Sequence, residues 1–175
     1  MTTNVPLISN QHITFRKANI SDVSFMIKTE QHPDIRPYLI VWSNEQHQIA
    51  MHDANYLHII IEDSYHRAVG YIILRGLLNT HDSIEFMRIA IAEQGKGWGK
   101  EAVKLLITYT FEQLKAHRLW VDVKEQNLRA QYIYRNCGFQ QEGVLRDCLK
   151  IAEGTYESLM IMSILNTRKI TPQVG

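Results

Sequence analysis

Apolar and polar residues alternate along Ile13-Thr14-Phe15-Arg16-Lys17, the period of a strand with one buried face. Ser21-Asp22 can then cap a helix running to about Thr29. From Gln31 to Val41 the chain carries Pro33 and Pro37, which predicts a broken or only briefly helical stretch. Ser43 and Gln46 have the spacing of a capping box and predict a second helix toward Asp53. Three strands are expected next, at Leu57 to Glu62, Ala68 to Arg75 and Ser83 to Ala92. Asp63-Ser64-Tyr65-His66 joins the first two as a hairpin loop, and Asn79-Thr80-His81-Asp82 is a polar turn before the third. From Gly99 to Ala116, Val103, Leu106, Ile107, Thr110, Phe111 and Leu114 recur at three- and four-residue steps, the stripe of an amphipathic helix. Leu119 to Val123 returns to strand, and Asn127 to Asn136 to helix. Gly138 stands where a left-handed cap ends that helix. Phe139 onward and Tyr156 to Leu165 close the chain as two strands linked around Glu153-Gly154.

The resulting order, β-α-α-β-β-β-α-β-α-β-β, predicts an α/β (α+β) single domain with six to seven strands. Early strands follow one another directly and should be antiparallel, whereas later ones pass through helices and should include a parallel step. A mixed, mostly antiparallel sheet with helices on both faces follows. The domain is expected over 13–168, with 1–12 as an extension and 169–175 as a tail. Net charge is +1 with histidine neutral, so no overall field gathers nucleic acid or an anionic membrane. The amino terminus lacks the basic region and apolar core of a signal peptide, and a cytoplasmic location is expected. Cys137 and Cys148 match no zinc or redox spacing and are expected to pack as small apolar side chains, and Trp42, Trp98 and Trp120 are expected to pack rather than to contact ligand. His47, His52 and His58 stand five and six residues apart, fitting no helical ligand pair, so no metal is expected.

The chemistry concentrates in Gln94-Gly95-Lys96-Gly97-Trp98-Gly99-Lys100, between a strand and the long helix. Alternate glycines clear Cβ atoms from one side of the turn, and the first N–H groups of a helix have no internal partner. Together they make a cradle for an anion such as phosphate. A Walker A loop is excluded, because three residues rather than four separate Gly95 from Gly99 and Glu101 follows Lys100. Gly97-Trp98-Gly99-Lys100-Glu101-Ala102 fits the dinucleotide pattern G-x-G-x-x-A, with Asp122 at a suitable distance, so an NAD-type binder is an alternative. Against it, Glu93 to Lys96 separates the strand from the glycines, where the fingerprint needs a tight turn.

Gln94 to Gly99 also resembles Gln/Arg-x-x-Gly-x-Gly/Ala, the pyrophosphate loop of the GCN5-related N-acetyltransferases. Asn127, Ala130 and Tyr134, followed by Gly138-Phe139, match the second element of that family, one helix and one strand further on. The likeness extends from Ile13 to Leu165, and Gly138 to Arg146 with the terminal hairpin resembles the ribosomal-protein alanine and spermidine acetyltransferases. The resemblance implies an acyl-CoA N-acyltransferase fold with acetyl-CoA as co-substrate and a primary amine as acceptor: a small molecule, a polyamine or a protein N-terminus. It leaves room for a homodimer and implies direct attack without an acyl-enzyme. Backbone around Ile89 and Ile91 would pair with the pantetheine arm, amides from Gly95 to Lys100 would hold the pyrophosphate, and Asn127 would bond the cofactor's amide region. Tyr134 would protonate the departing thiolate or merely hydrogen-bond the cofactor. Glu85 is the base candidate, since alternation puts it on the face of Ile89 and Ile91. An ion pair with a nearby Arg or His is its other reading. Asp122 and Glu125 are further candidates, and a non-catalytic acyl-CoA-binding module is the remaining alternative.

Overall fold

The structure, a computed structural model, describes residues 5–167 of the chain. Eight strands form one sheet in the order β1-β2-β3-β4-β5-β6-β8-β7. In chain order they are β1 (Pro6–Ser9), β2 (Ile13–Lys17), β3 (Tyr56–Asp63), β4 (Ala68–Arg75), β5 (Ser83–Ile91), β6 (Arg118–Lys124), β7 (Gln140–Ala152) and β8 (Thr155–Leu165). The helices are α1 (Val23–Glu30), α2 (Asn44–His52), α3 (Trp98–Thr108) and α4 (Leu128–Asn136). The α/β class and the mostly antiparallel sheet are those expected. The extra strand is β1, a four-residue edge that pairs with β2 inside the expected extension.

Local chemistry accounts for most boundaries. Asn19, rather than Ser21-Asp22, starts the first helical segment: it forms a reciprocal capping box with Asp22 over a 3₁₀ turn that leads into α1. Ser43 and Gln46 cap α2 reciprocally, as their spacing predicts. Gly138 ends α4 with φ +98°, a left-handed conformation that costs glycine little. The long helix is shorter than its apolar stripe: α3 stops at Thr108, and Tyr109 to Gln113 continue as a π-helical turn.

Both faces of the sheet are covered, which explains the unbroken apolar run in β3. Ile59 and Ile61 join a core with Phe15, Phe86, Leu106 and Tyr134 beneath α3 and α4. Ile60 points the other way, into a smaller core with Met26, Tyr71, Ile73 and Ala90 beneath α1. Cys137 is half-buried against the larger core, as expected, but Cys148 is exposed. Its strand β7 lies at the sheet edge, so the expectation of packing fails there.

One irregularity positions everything that follows. Ile73 pairs with Arg88 and Leu74 with Phe86, so Met87 is an extra residue, a β-bulge. Next to it, after Glu85, β5 parts from β6. The two strands pair in parallel only at Ser83–Arg118, Ile84–Leu119 and Glu85–Trp120. Past that point β5 stays paired only with β4 and β6 only with β8, and the sheet splays into a V.

Candidate active site

The V opens into a cleft of about 730 Å³, walled by Phe86 to Ile91 of β5 and Val121 to Lys124 of β6. The leading candidates from the sequence line it: Glu85, Ile89, Ile91, Gln94, Gly95, Lys96, Gly97, Trp98, Gly99, Lys100, Asn127 and Tyr134. Asp122 lines it too, while Glu125 does not.

The glycine turn forms its phosphate-sized end. Gly95 and Gly97 have φ of +82° and +79°, and a Cβ on either would stand in open space. Both therefore take conformations that other residues adopt at a cost, and leave one side of the turn bare. Gly97 occupies the N-cap of α3 with no side chain to cap it, so the first-turn amides of α3 remain available to a ligand. Gln94 closes the loop by donating from Nε2 to the Ile91 carbonyl at 2.8 Å. Lys96 is paired with Glu93 at 2.6 Å and lies 5.0 Å over the Trp98 ring, which helps hold the turn in shape. Trp98 is also packed against the larger core.

Beside the turn, α4 supplies two further walls. The Asn127 side chain accepts from the Ala130 amide at 3.1 Å, so its carbonyl oxygen caps α4 and its amide nitrogen is the part left for a ligand. This capping duty is legible in the Asn-x-x-Ala spacing. The Tyr134 ring packs against Phe86 and Phe139, at 5.7 and 5.6 Å between centroids, with the Phe86 pair T-shaped. Burial raises its hydroxyl pKa well above the ordinary tyrosine value, with the Asp122 carboxylate and Cys137 pushing the same way.

Glu85 sits where β5 and β6 begin to part. The bulge corrects its expected orientation. One extra residue reverses the alternation, so Glu85 shares a face with Arg88 and Ala90, and Ile84 and Phe86 share the face of Ile89 and Ile91. Its carboxylate is 2.5 Å from the Arg75 guanidinium. Burial nevertheless holds Glu85 above the usual carboxylate range, against the pull of Arg75 and with Asp122 adding to the rise. Asp122 is itself raised by burial, with Arg75 opposing. Asp122 thus raises both Glu85 and Tyr134, and all three side chains line the cleft.

A second polar cluster escaped the sequence reading. Glu30, fully buried at the end of α1, accepts hydrogen bonds from Arg88 of β5, from the Tyr71 hydroxyl of β4 and, at 2.9 Å, from the Trp42 amide. His47 Nε2 of α2 lies 3.0 Å from the same carboxylate. Burial works against the charge, but His47, Arg88, Tyr71 and the Trp42 amide together hold Glu30 below its usual range. These partners lie between 12 and 58 positions from Glu30 in the chain, so no local motif announces them. Among the described residues no group of histidine, cysteine and acidic side chains is placed to hold a metal, and no helix is long and apolar enough to cross a membrane.

Comparison with known proteins agrees with this geometry. Residues 21–139 match the Acetyltransferase (GNAT) family. The chain is 26% identical over 170 residues to the spermidine N(1)-acetyltransferase of Vibrio cholerae serotype O1, covering 91% of this chain and 96% of that one. It is 33% identical over 115 residues to the spermidine N(1)-acetyltransferase of Escherichia coli K12, covering 65% and 61%. The crystal structure of spermidine N-acetyltransferase from Vibrio cholerae in complex with CoA and spermine superposes with a TM-score of 0.79. That likeness has 27% identity and covers 89% of this chain and 96% of the other.

Proposed function

Because the chain belongs to the acetyltransferase (GNAT) family, and so carries acetyl from acetyl-CoA to an amine, we propose that its acceptor is a slender aliphatic polyamine of the spermidine class. The observation that carries this is the charge at the apex of the cleft. Glu85 and Asp122 both line it, from β5 and β6, and Asp34 lines the same cleft from the loop after α1. The cations nearby are already engaged: Arg75 pairs with Glu85, Arg88 with Glu30 and Lys124 with Glu157. Arg75 already meets the charge of Glu85, whereas Asp122 has no ion-pair partner among the described residues, so an ammonium of a bound polyamine would pair with Asp122. The names of the similar enzymes support the same class.

The residues divide the work as follows. Bare amides at the Gly95 to Lys100 turn would take the pyrophosphate, and Lys100 would add a positive charge beside it. The edge of β5 freed by the splay presents unpaired backbone groups along Ile89 and Ile91, which would bond the pantetheine arm as a further strand does. An N–H from the same edge would stabilise the oxyanion that forms when the amine attacks the thioester. The acceptor arrives as an ammonium, with a solution pKa near 10, and must lose a proton first. Glu85, held above the usual carboxylate range by burial, is a better base at neutral pH than an exposed glutamate. Tyr134 stays protonated across the working range and donates to the departing thiolate. Its raised pKa makes the hydrogen bond more important than complete proton transfer.

Thiol release from acetyl-CoA is the test, run with spermidine, an alanine-initiated tripeptide and an aminoglycoside, with Tyr134→Phe beside the wild type. Spermidine should give the highest kcat/KM. Tyr134→Phe should lower kcat by roughly ten- to a thousandfold with little change in the KM for acetyl-CoA. Preference for the tripeptide or the aminoglycoside would remove the polyamine assignment. Unchanged kcat in the variant would make Tyr134 a packing residue.

A further inference from the structure

The segment between α1 and α2 crosses the acceptor end of the cleft. Pro33, Asp34, Pro37, Tyr38 and Ile40 all line it from this loop. Its attachments have a pattern. Arg88 Nη2, on β5, donates to the Ile40 carbonyl at 2.5 Å. Lys124 Nζ, on β6, donates to the Pro37 carbonyl at 2.9 Å. One cation from each of the two splayed strands therefore grips the same loop, three residues apart, and the loop bridges the V.

Each grip is anchored from behind. The other arm of Arg88 is paired with Glu30, and its guanidinium lies 4.9 Å over the Trp42 ring. Glu30 also receives the Trp42 amide, so the carboxylate at the start of the loop fixes the residue at its end. Lys124 is paired with Glu157 of β8 at 2.7 Å. Arg88 and Glu30 are both buried, so water screens their hydrogen bonds poorly.

We infer that Arg88 and Lys124 are positioning residues that hold the loop from Gln31 to Val41 across the acceptor mouth, and that this strap selects slender amines over bulky ones. The inference rests on the polyamine reading for its choice of small acceptor, but the strap itself is defined by the two hydrogen bonds. With both in place the mouth is spanned from wall to wall, and a polypeptide amino terminus must displace the loop to reach the apex. A narrow alkylamine enters beneath it.

Two variants test this. Lys124→Met keeps the apolar stem and removes the donor. Arg88→Lys keeps a cation for Glu30 but loses the fork that also reaches Ile40. Kinetics are measured with spermidine and the alanine-initiated tripeptide at saturating acetyl-CoA, and amide hydrogen exchange is followed over residues 31–42. Each variant should raise the spermidine KM by about five- to tenfold, on the order of one lost charge-assisted hydrogen bond, with the KM for acetyl-CoA unchanged. The ratio of tripeptide to spermidine kcat/KM should rise by at least about tenfold, and exchange should accelerate within the loop and not in the core strands. Loop exchange at the wild-type rate in Lys124→Met overturns the strap. So does a faster loop with KM values and selectivity unchanged, or a lowered melting temperature as the sole effect. If the wild type uses the tripeptide and not spermidine, the polyamine reading fails and so does the selectivity assigned to the strap. Faster loop exchange in the variants would then leave only the two attachments standing.

Discussion

Glu85, proposed as the base, sits among groups that pull its carboxylate in opposite directions. The Arg75 guanidinium favours the ionised carboxylate, burial and Asp122 disfavour it, and burial prevails. A base with a raised pKa gives a kcat/KM that climbs with pH along a limb above the ordinary carboxylate range, because only the ionised form accepts a proton. Glu85→Gln should abolish that limb, with activity recovering at alkaline pH where the amine arrives deprotonated. The effect on stability has its own sign. A carboxyl raised in the folded state favours folding while protonated and loses that advantage as pH rises through its folded pKa. The melting temperature of Glu85→Gln should therefore gain on the wild type as pH increases over the same interval. A limb that survives in the variant would transfer the base role to Asp122, which lies in the same cleft with a similarly raised carboxyl. That Tyr134, Asn127 and the glycine turn would share one cleft was legible because motifs carry their spacing. The face of Glu85 was not, since period-two alternation holds only while pairing is regular and Met87 interrupts it. Glu30, Arg88 and His47 stayed hidden because an isolated charge in a sequence gives no sign that folding will bury it beside its partners.

At the scale of elements, the turn from β5 into α3 gives the sharpest test. Gly97 has φ +79°, caps α3 without a side chain and has nothing within 4 Å of where a Cβ would project. Gly97→Val meets a steric cost of roughly 1–3 kcal/mol in the left-handed region and sets a branched side chain in the space where the pyrophosphate is proposed to lie. The variant should fold with a melting temperature lower by several degrees, and acetyl-CoA should no longer raise it. A full ligand shift in Gly97→Val would move the phosphate site away from this turn. Periodicity predicted the helices and most strands, since amphipathic stripes and caps are local properties. It missed β1, which is four residues long and contributes few side chains to the core. It also could not place β8 between β6 and β7, because spatial order is decided by which faces pack together rather than by any one segment.

The whole molecule is a sheet in two parts that share a narrow seam. Strands β1 to β5 form one part and β6, β8 and β7 the other, and three residue pairs between β5 and β6 join them. The larger core beneath α3 and α4 crosses that seam, with Phe86 and Leu106 packed in one cluster with Leu119 and Tyr134. Class and parallel step could be read from element order, but the splay could not, because it arises from one residue inserted into a ladder. An acyl-CoA laid along the freed edge of β5, with its pyrophosphate on α3 and its amides near Asn127 of α4, would touch both parts at once. Binding to the folded state alone stabilises it by about 2.7 kcal/mol at a hundredfold excess over Kd. For a chain of this length, each kcal/mol moves the melting temperature by roughly 2–4 °C, so acetyl-CoA should raise it by about 5–11 °C. NAD at the same concentration should leave it unchanged, because its fingerprint needs glycines directly after the strand and here Glu93 to Lys96 intervene. Because the ligand spans the seam, acetyl-CoA should slow amide exchange in β6 as well as β5, while pyrophosphate alone should protect only the start of α3. Protection confined to α3 with the whole cofactor would mean that the arm does not lie along the freed strand edge, and a shift with NAD and none with acetyl-CoA would contradict the assigned co-substrate.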